Sequence, residues 1–213
     1  MMKLRLPLRL APGFDHHLDM VSLEQASNLN LLLGQVLHTG VPGAIVELGC
    51  YTGSTTCIIG HTLAASGDGR PFHVFDRFDV TLGEHPAGRD VFERNLNAVG
   101  VPMPVIHQGD VFETVPASLP SRIAFAHLDL GVGGDTQLHA RLMDHALRHV
   151  YERLSPGAIL VLMDYYVPGL TVEGHDSNPG VRKAADLFFR DKPETVTTLF
   201  GGPCSHGYVR KAG

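Results

Sequence analysis

Glu47-Leu48-Gly49-Cys50-Tyr51-Thr52-Gly53-Ser54 is the stretch that decides how this chain folds. It follows Ala44-Ile45-Val46, so a short apolar run ends at a glycine, which reads as a buried strand. From about Ser54 to Ala65 the pattern becomes helical. Gly49 allows a sharp backbone turn, and Gly53 lets a helix N-terminus approach a ligand with no Cβ in the way. The dinucleotide fingerprint Gly-x-Gly-x-x-Gly sets three glycines around a pyrophosphate. Here the pattern is Glu-x-Gly-x-x-x-Gly, with an acid and fewer glycines. It suits a ligand with a cationic amino-acid tail and no phosphate.

Outward from this loop the chain alternates. Before it, Ser22 and Gln25 make a capping box for a helix with Leu23, Ala26, Leu29, Leu33 and Leu37 at helical spacing, closed by Gly40. After it come the strand FHVFD, a helix over about Arg89 to Val99, the strand PVIHQG, the strand IAFAHLDL and a helix over about Thr136 to Arg153. A turn at Ser155 to Gly157 leads into AILVLM. Strands alternating with helices predict a parallel sheet with helices on both faces. The rhythm then changes. After a helix over about Pro179 to Arg190, ETVTTLF and HGYVRK flank GGPCS and read as a hairpin, so one late strand runs antiparallel. A mostly parallel seven-stranded α/β sheet with a C-terminal antiparallel hairpin is the Rossmann-like arrangement of class I methyltransferases.

Ligands of open α/β sheets bind at the carboxyl ends of the strands. Three segments fall there in order. The first is the loop, with Glu47, Gly49, Tyr51, Gly53 and Ser54. The second is Asp76, with Arg77 behind it, placed to accept hydrogen bonds from both ribose hydroxyls. The third is Gly109-Asp110-Val111, where an adenine edge would lie. Together they predict S-adenosylmethionine as the cofactor.

The chain has 213 residues, which predicts one domain, with residues 1–40 as an N-terminal arm and helix. A formal net charge of −5 with scattered lysines and arginines argues against nucleic acid as a partner. The expected ligand is a small molecule, and the apolar arm before Pro12 suggests a homo-oligomer, with a dimer the first expectation. No apolar stretch approaches the ~20 residues that span a bilayer. Cys50, Cys57 and Cys204 form no Cys-x-x-Cys pair, which fits a reducing cytoplasm and a packing role for Cys50.

VPGAIVELGCYTGST, FDRFD, GDVFETVP, AHLDL and LSPGAILVLMDYY, between Val41 and Tyr166, together resemble the macrocin O-methyltransferase family, whose members methylate sugar hydroxyls of macrolide antibiotics. The resemblance implies a class I fold, S-adenosylmethionine, and a magnesium ion that holds the acceptor hydroxyl. Asp129 and Asp164 match the family's metal ligands, and Asp129 also borders the cofactor. The family places a further acid after the second ligand and another two residues beyond the first; this chain has Tyr165 and Gly131 there. Asp129, Asp164 and His175 are therefore the candidate catalytic groups, with or without the metal.

Of the other histidines, His127 points to the same side of its strand as Asp129. His145 and His149 read as a solvated helix face, and His206 as structural. Three competing readings remain: a nicotinamide-dependent oxidoreductase, which should carry a three-glycine loop, a member of the fold that has lost catalysis, and a catalytically altered member that keeps the fold and the metal but performs hydroxylation-linked or other chemistry.

Overall fold

The computed structural model describes residues 21–82, 85–86, 88–131, 135–172, 174 and 176–213. The expected arm before Pro12 and the side chain of His175 lie outside them. The elements run α1 (Leu23–His38), β1 (Ala44–Leu48), α2 (Ser54–Ser66), β2 (Phe72–Asp76), β3 (Thr81–Leu82), β4 (His85–Pro86), α3 (Arg89–Val99), β5 (Val105–Gln108), α4 (Val111–Thr114), β6 (Ile123–Leu128), α5 (Thr136–Arg153), β7 (Leu154–Leu162), α6 (Gly180–Phe189), β8 (Thr197–Leu199) and β9 (His206–Arg210). Among the described residues no helix is long and apolar enough to cross a membrane.

The main sheet has seven strands in the order β5-β2-β1-β6-β7-β9-β8, and β3 and β4 form a separate two-stranded ribbon. β1 pairs in parallel with β2 and β6, β2 with β5, and β6 with β7. Only β9 opposes its neighbours, running antiparallel to both β7 and β8. The predicted terminal hairpin is therefore present, with its second strand inserted next to β7. Right-handed crossovers that leave β1 in opposite directions put α2 and α3 on one face and α5 on the other. Every residue of β1 and β6 is buried, as central parallel strands covered on both faces require.

Two local expectations differ from the structure. The apolar face of α1 is rotated: Leu29, Leu32, Leu33 and Val36 are buried, while Leu23 is 64% exposed. Gln25 takes the buried place because its amide donates to the Cys204 carbonyl at 3.1 Å, while its oxygen accepts from the Ser22 backbone at 2.8 Å to close the capping box. The turn at Ser155 to Gly157 is a bulge within β7: Leu154 pairs with Ile123, but the next pairing joins Ile159 to Phe125. Ser155 fixes the bulge by donating to the Pro42 carbonyl at 2.6 Å.

At the carboxyl edge of the sheet, β1 and β6 approach so closely that only glycine fits after Leu48. Gly49 has φ +80, and a Cβ there would lie 1.8 Å from the Asp129 carbonyl oxygen. The Asp129 N–H donates to the Leu48 carbonyl at 2.8 Å, which draws the two strand ends together. Gly49→Ala combines left-handed strain with overpacking against backbone and should lower the unfolding free energy by about 3 kcal/mol. Denaturant melts with an unchanged slope would measure this, and a loss under about 1 kcal/mol would contradict the close approach.

Candidate active site

Glu47 lies fully buried on β1, turned into the protein. Its carboxylate accepts from the hydroxyls of Thr55 and Thr56, the latter at 2.6 Å, and its Oε1 lies 3.2 Å from His127 Nδ1. Burial pulls the His127 imidazole down. The hydrogen bond and charge of Glu47, joined by Asp129 and Asp164, outweigh that and raise it overall. The acid of the loop motif thus ties β1 to the first turn of α2 and to β6. On the far side of His127, the ring of His206 lies 6.3 Å away and is pushed down to about 3 by burial.

The loop itself is held by Asp76. Its Oδ2 accepts from the backbone N–H groups of Cys50 at 2.7 Å and Tyr51 at 2.9 Å, and its Oδ1 from Phe78 at 2.7 Å. A carboxylate offers about four lone-pair positions, so one remains on Oδ1. Gly53 closes the turn by donating to the Cys50 carbonyl at 2.7 Å. The place of its missing Cβ is filled by Leu96 and Phe92 of α3, so the absent side chain makes room for α3. Ser54 opens α2. The tip of β5 joins the same edge through the Gly109 N–H, which donates to the Asp76 carbonyl at 3.0 Å. Asp110 caps α4, Val111 is buried beneath it, and exposed Arg77 binds Asp79 with Asp110 at 3.9 Å.

Asp129 and Asp164 follow the adjacent strands β6 and β7, and the Met163 N–H donates to the Leu128 carbonyl at 2.9 Å. Burial, then repulsion from Asp164, push the Asp129 carboxyl up to about 7. Asp164 Oδ2 accepts from Asn178 Nδ2 at 2.6 Å, and the Asn178 N–H in turn binds Asp176. Tyr165, where the family resemblance implies an acid, turns away: its hydroxyl donates to Asp186 on α6, and burial pushes it up to about 12. Gly131 is exposed. His145 and His149 belong elsewhere, since His145 Nε2 donates to the Val115 carbonyl at 2.7 Å and its ring packs on Phe112. The pair is half-buried rather than fully solvated.

Among the described residues, the non-glycine positions with positive φ are Tyr51 (45°), Phe78 (57°) and Asp164 (58°). They lie just beyond β1, β2 and β7, at one edge of the sheet. Bulky side chains avoid this region of backbone space, and such strain gathers at functional sites. The Tyr51 hydroxyl is also buried with no hydrogen-bond partner among the described residues. Sequence reasoning missed Asn178, which bonds Asp164. The Asn-Pro before α6 was the available signal for it.

The sequence model of the methyltransferase domain family matches residues 46–165. A Streptomyces olivaceus protein named 8-demethyl-8-(2,3-dimethoxy-alpha-L-rhamnosyl)-tetracenomycin-C 4'-O-methyltransferase is 29% identical over 179 residues, covering 74% of this chain and 66% of its own length. A Micromonospora griseorubida mycinamicin III 3''-O-methyltransferase is 25% identical over 182 residues, covering 74% and 68%. The chain thus spans about two thirds of these relatives, marginally less in the first. The solved structure of the O-methyltransferase NovP superposes with a TM-score of 0.72 at 16% identity, covering 90% of this chain and 81% of that one.

Asp76→Ala would leave three backbone N–H groups without their charged acceptor. Such bonds contribute about 1.5–3 kcal/mol each, so amide exchange at Cys50 and Tyr51 should accelerate at least about tenfold while the central strands stay protected. Unchanged protection at both amides would remove Asp76 as the anchor of the loop.

Proposed function

This chain belongs to the methyltransferase domain family, and on that premise we propose that it is an S-adenosylmethionine-dependent O-methyltransferase acting on a sugar hydroxyl of a natural product. The observation that carries the reading is the meeting of the glycine loop and a carboxylate pair at one edge of one sheet. S-adenosylmethionine is bound along Gly49 to Ser54, with Tyr51 beside its tail and Gly109, Asp110, Val111 and Arg77 around the adenine. Asp76 has one lone-pair position left after holding the loop, so it accepts from one ribose hydroxyl, not two. The acceptor class is taken from the tetracenomycin and mycinamicin relatives.

Methyl transfer is an in-line displacement. The acceptor oxygen forms its bond to the methyl carbon as the carbon–sulfur bond breaks, and that electron pair neutralises the sulfonium. Asp129 and Asp164 orient the hydroxyl, with Asn178 fixing one oxygen of Asp164. Orientation of this kind removes much of the entropic barrier. Magnesium fits the pair in donor chemistry, since it takes oxygen ligands from one or two carboxylates and keeps several waters. The mutual repulsion of the two acids marks a place where a cation is stabilising. Asp129 and Asp164 would hold it, and bound there it would lower the hydroxyl pKa. Among the described residues no third His, Cys, Asp or Glu joins them in a metal-binding group, so the proposed ion is mostly hydrated. A cytoplasmic enzyme is in keeping with this chemistry.

Asp164→Asn should lower kcat by roughly 10²–10⁴, the range for losing one positioned proton-handling group, while adenosylhomocysteine affinity stays within about threefold. EDTA should lower turnover of the unmodified enzyme and added magnesium restore it. Labelled-methyl transfer and calorimetry measure both. Full activity of a folded Asp164→Asn variant would move the acceptor site elsewhere, and indifference to EDTA would remove the ion alone.

A homodimer is proposed through α1, whose Leu23 and Leu31 are 64% and 63% exposed. Light scattering at micromolar concentration should give twice the chain mass, and a monomer would rule the dimer out.

A further inference from the structure

The backbone of Asp164 stands at φ +58, a conformation that persists only where the surroundings enforce it. On the strand side the support is the Met163 N–H, which donates to the Leu128 carbonyl at 2.9 Å. On the other side it comes from residues 165 and 166, and both are tied to α6. The Tyr165 ring is 6% exposed and seated against β9, where a Cβ on Gly207 would stand 2.7 Å from the ring Cγ. Its hydroxyl donates to Asp186 Oδ1. The Tyr166 carbonyl accepts from Arg182 Nη1 at 3.1 Å. Arg182 Nε donates in turn to Asp186 Oδ2 at 3.2 Å, and its guanidinium lies over the Tyr165 ring, 6.0 Å from the centre.

These contacts form a closed circuit: from Asp186 to Tyr165, along the chain to Tyr166, across to Arg182 and back to Asp186. The same helix begins two residues after Asn178, whose side-chain amide donates to Asp164 Oδ2 at 2.6 Å. α6 therefore grips Asp164 twice, its carboxylate through Asn178 and its backbone through the circuit. Asp186 lies six residues beyond Gly180, ~9 Å along the helix at 1.5 Å per residue. The Arg182 and Asp186 side chains are 38% and 50% exposed, and ion pairs this exposed contribute little to stability. What the circuit fixes is the direction in which the chain leaves β7, and with it the aim of the Asp164 carboxylate.

We propose that Tyr165, Arg182 and Asp186 are positioning residues for methyl transfer, which hold the backbone of Asp164 so that its carboxylate meets the acceptor hydroxyl. The assignment rests on the methyltransferase reading above. It explains why a phenol suits residue 165 in this chain. A carboxylate there would be too short to reach Asp186 and would repel it, whereas the phenol has both the length and the proton to close the circuit. The absence of a side chain at Gly207 gives the ring its seat. A shift of about 1 Å in an orienting group can cost on the order of 10²-fold in rate, so a contact that adds little to stability can still govern turnover.

The test uses the full chain with labelled S-adenosylmethionine, offered mycinamicin III and methyl α-L-rhamnoside as acceptors. Tyr165→Phe and Asp186→Ala should each lower kcat about 10- to 100-fold, with KM and adenosylhomocysteine affinity within about threefold. The double variant should be no slower than Asp186→Ala alone, because both changes open the same circuit. In ¹H–¹⁵N spectra the side-chain amide signal of Asn178 should move in both single variants toward its position in Asp164→Asn. A merely structural role would lower the melting temperature while kcat and the Asn178 signal stayed as they are, and that result overturns the proposal. So does a fall in adenosylhomocysteine affinity as large as the fall in kcat, which would mean general loosening of the sheet edge. Should the unmodified protein methylate neither acceptor, the acceptor class proposed above fails separately. The Asn178 signal then decides: movement in both variants sustains the proposal, and a fixed signal ends it.

Discussion

A carboxylate with no access to water holds the carboxyl edge of the sheet together. Glu47 joins β1 to α2 through Thr55 and Thr56, and to β6 through His127. Desolvating a charge costs several kcal/mol unless partners surround it, and removing one partner from such a set is correspondingly destabilising. The same residue therefore sets the angle at which α2 leaves the loop and the height at which Asp129 emerges from β6. Asp76 repeats the device one strand over, with backbone N–H groups in place of hydroxyls. Two acids that a ligand-centred reading assigns to the cofactor act first as struts. The left-handed backbones at Tyr51 and Phe78 are held in place by Asp76.

Much of the architecture was legible because it follows from local rules. The strand–glycine–helix order, the alternation from Ala44 to Leu162 and the terminal hairpin all rest on period and punctuation, and all are present. What escaped depends on partners distant in sequence. No helical period can place Gln25 inside, because the Cys204 carbonyl that accepts from its amide is 179 residues away. The bulge in β7 owes its position to the Pro42 carbonyl. The departures at Tyr165 and Gly131 could be seen in the sequence, but not that Tyr165 turns to α6 and leaves Asn178 to steady Asp164.

The site divides into a rigid half and a supported half. The loop, Asp76 and Gly109 are fastened by backbone hydrogen bonds between neighbouring strand ends. Asp164, Asp176 and Asn178 instead depend on one another and on the start of α6, which leans on the ring of His139. Backbone registers are hard to alter by single substitutions, whereas side-chain supports are easily exchanged. The proposed cofactor half is thus constrained by the sheet itself, and the proposed acceptor half is free to vary while the fold persists.

The insertion of β9 between β7 and β8 also dictates an order of assembly. β7 is the last parallel strand to be synthesised, and until residues 206–210 arrive one of its edges has no hydrogen-bond partner. An open apolar edge of this kind is a template for pairing with another chain. α1, made long before, waits on the same segment, since Ser22, Gln25 and Asn28 all bond to carbonyls between Phe200 and Cys204. A nascent chain stalled before the hairpin emerges would therefore expose β7 and an unfastened α1 together. Its vulnerability to aggregation is greatest just before the hairpin emerges, when most of this core has already been made.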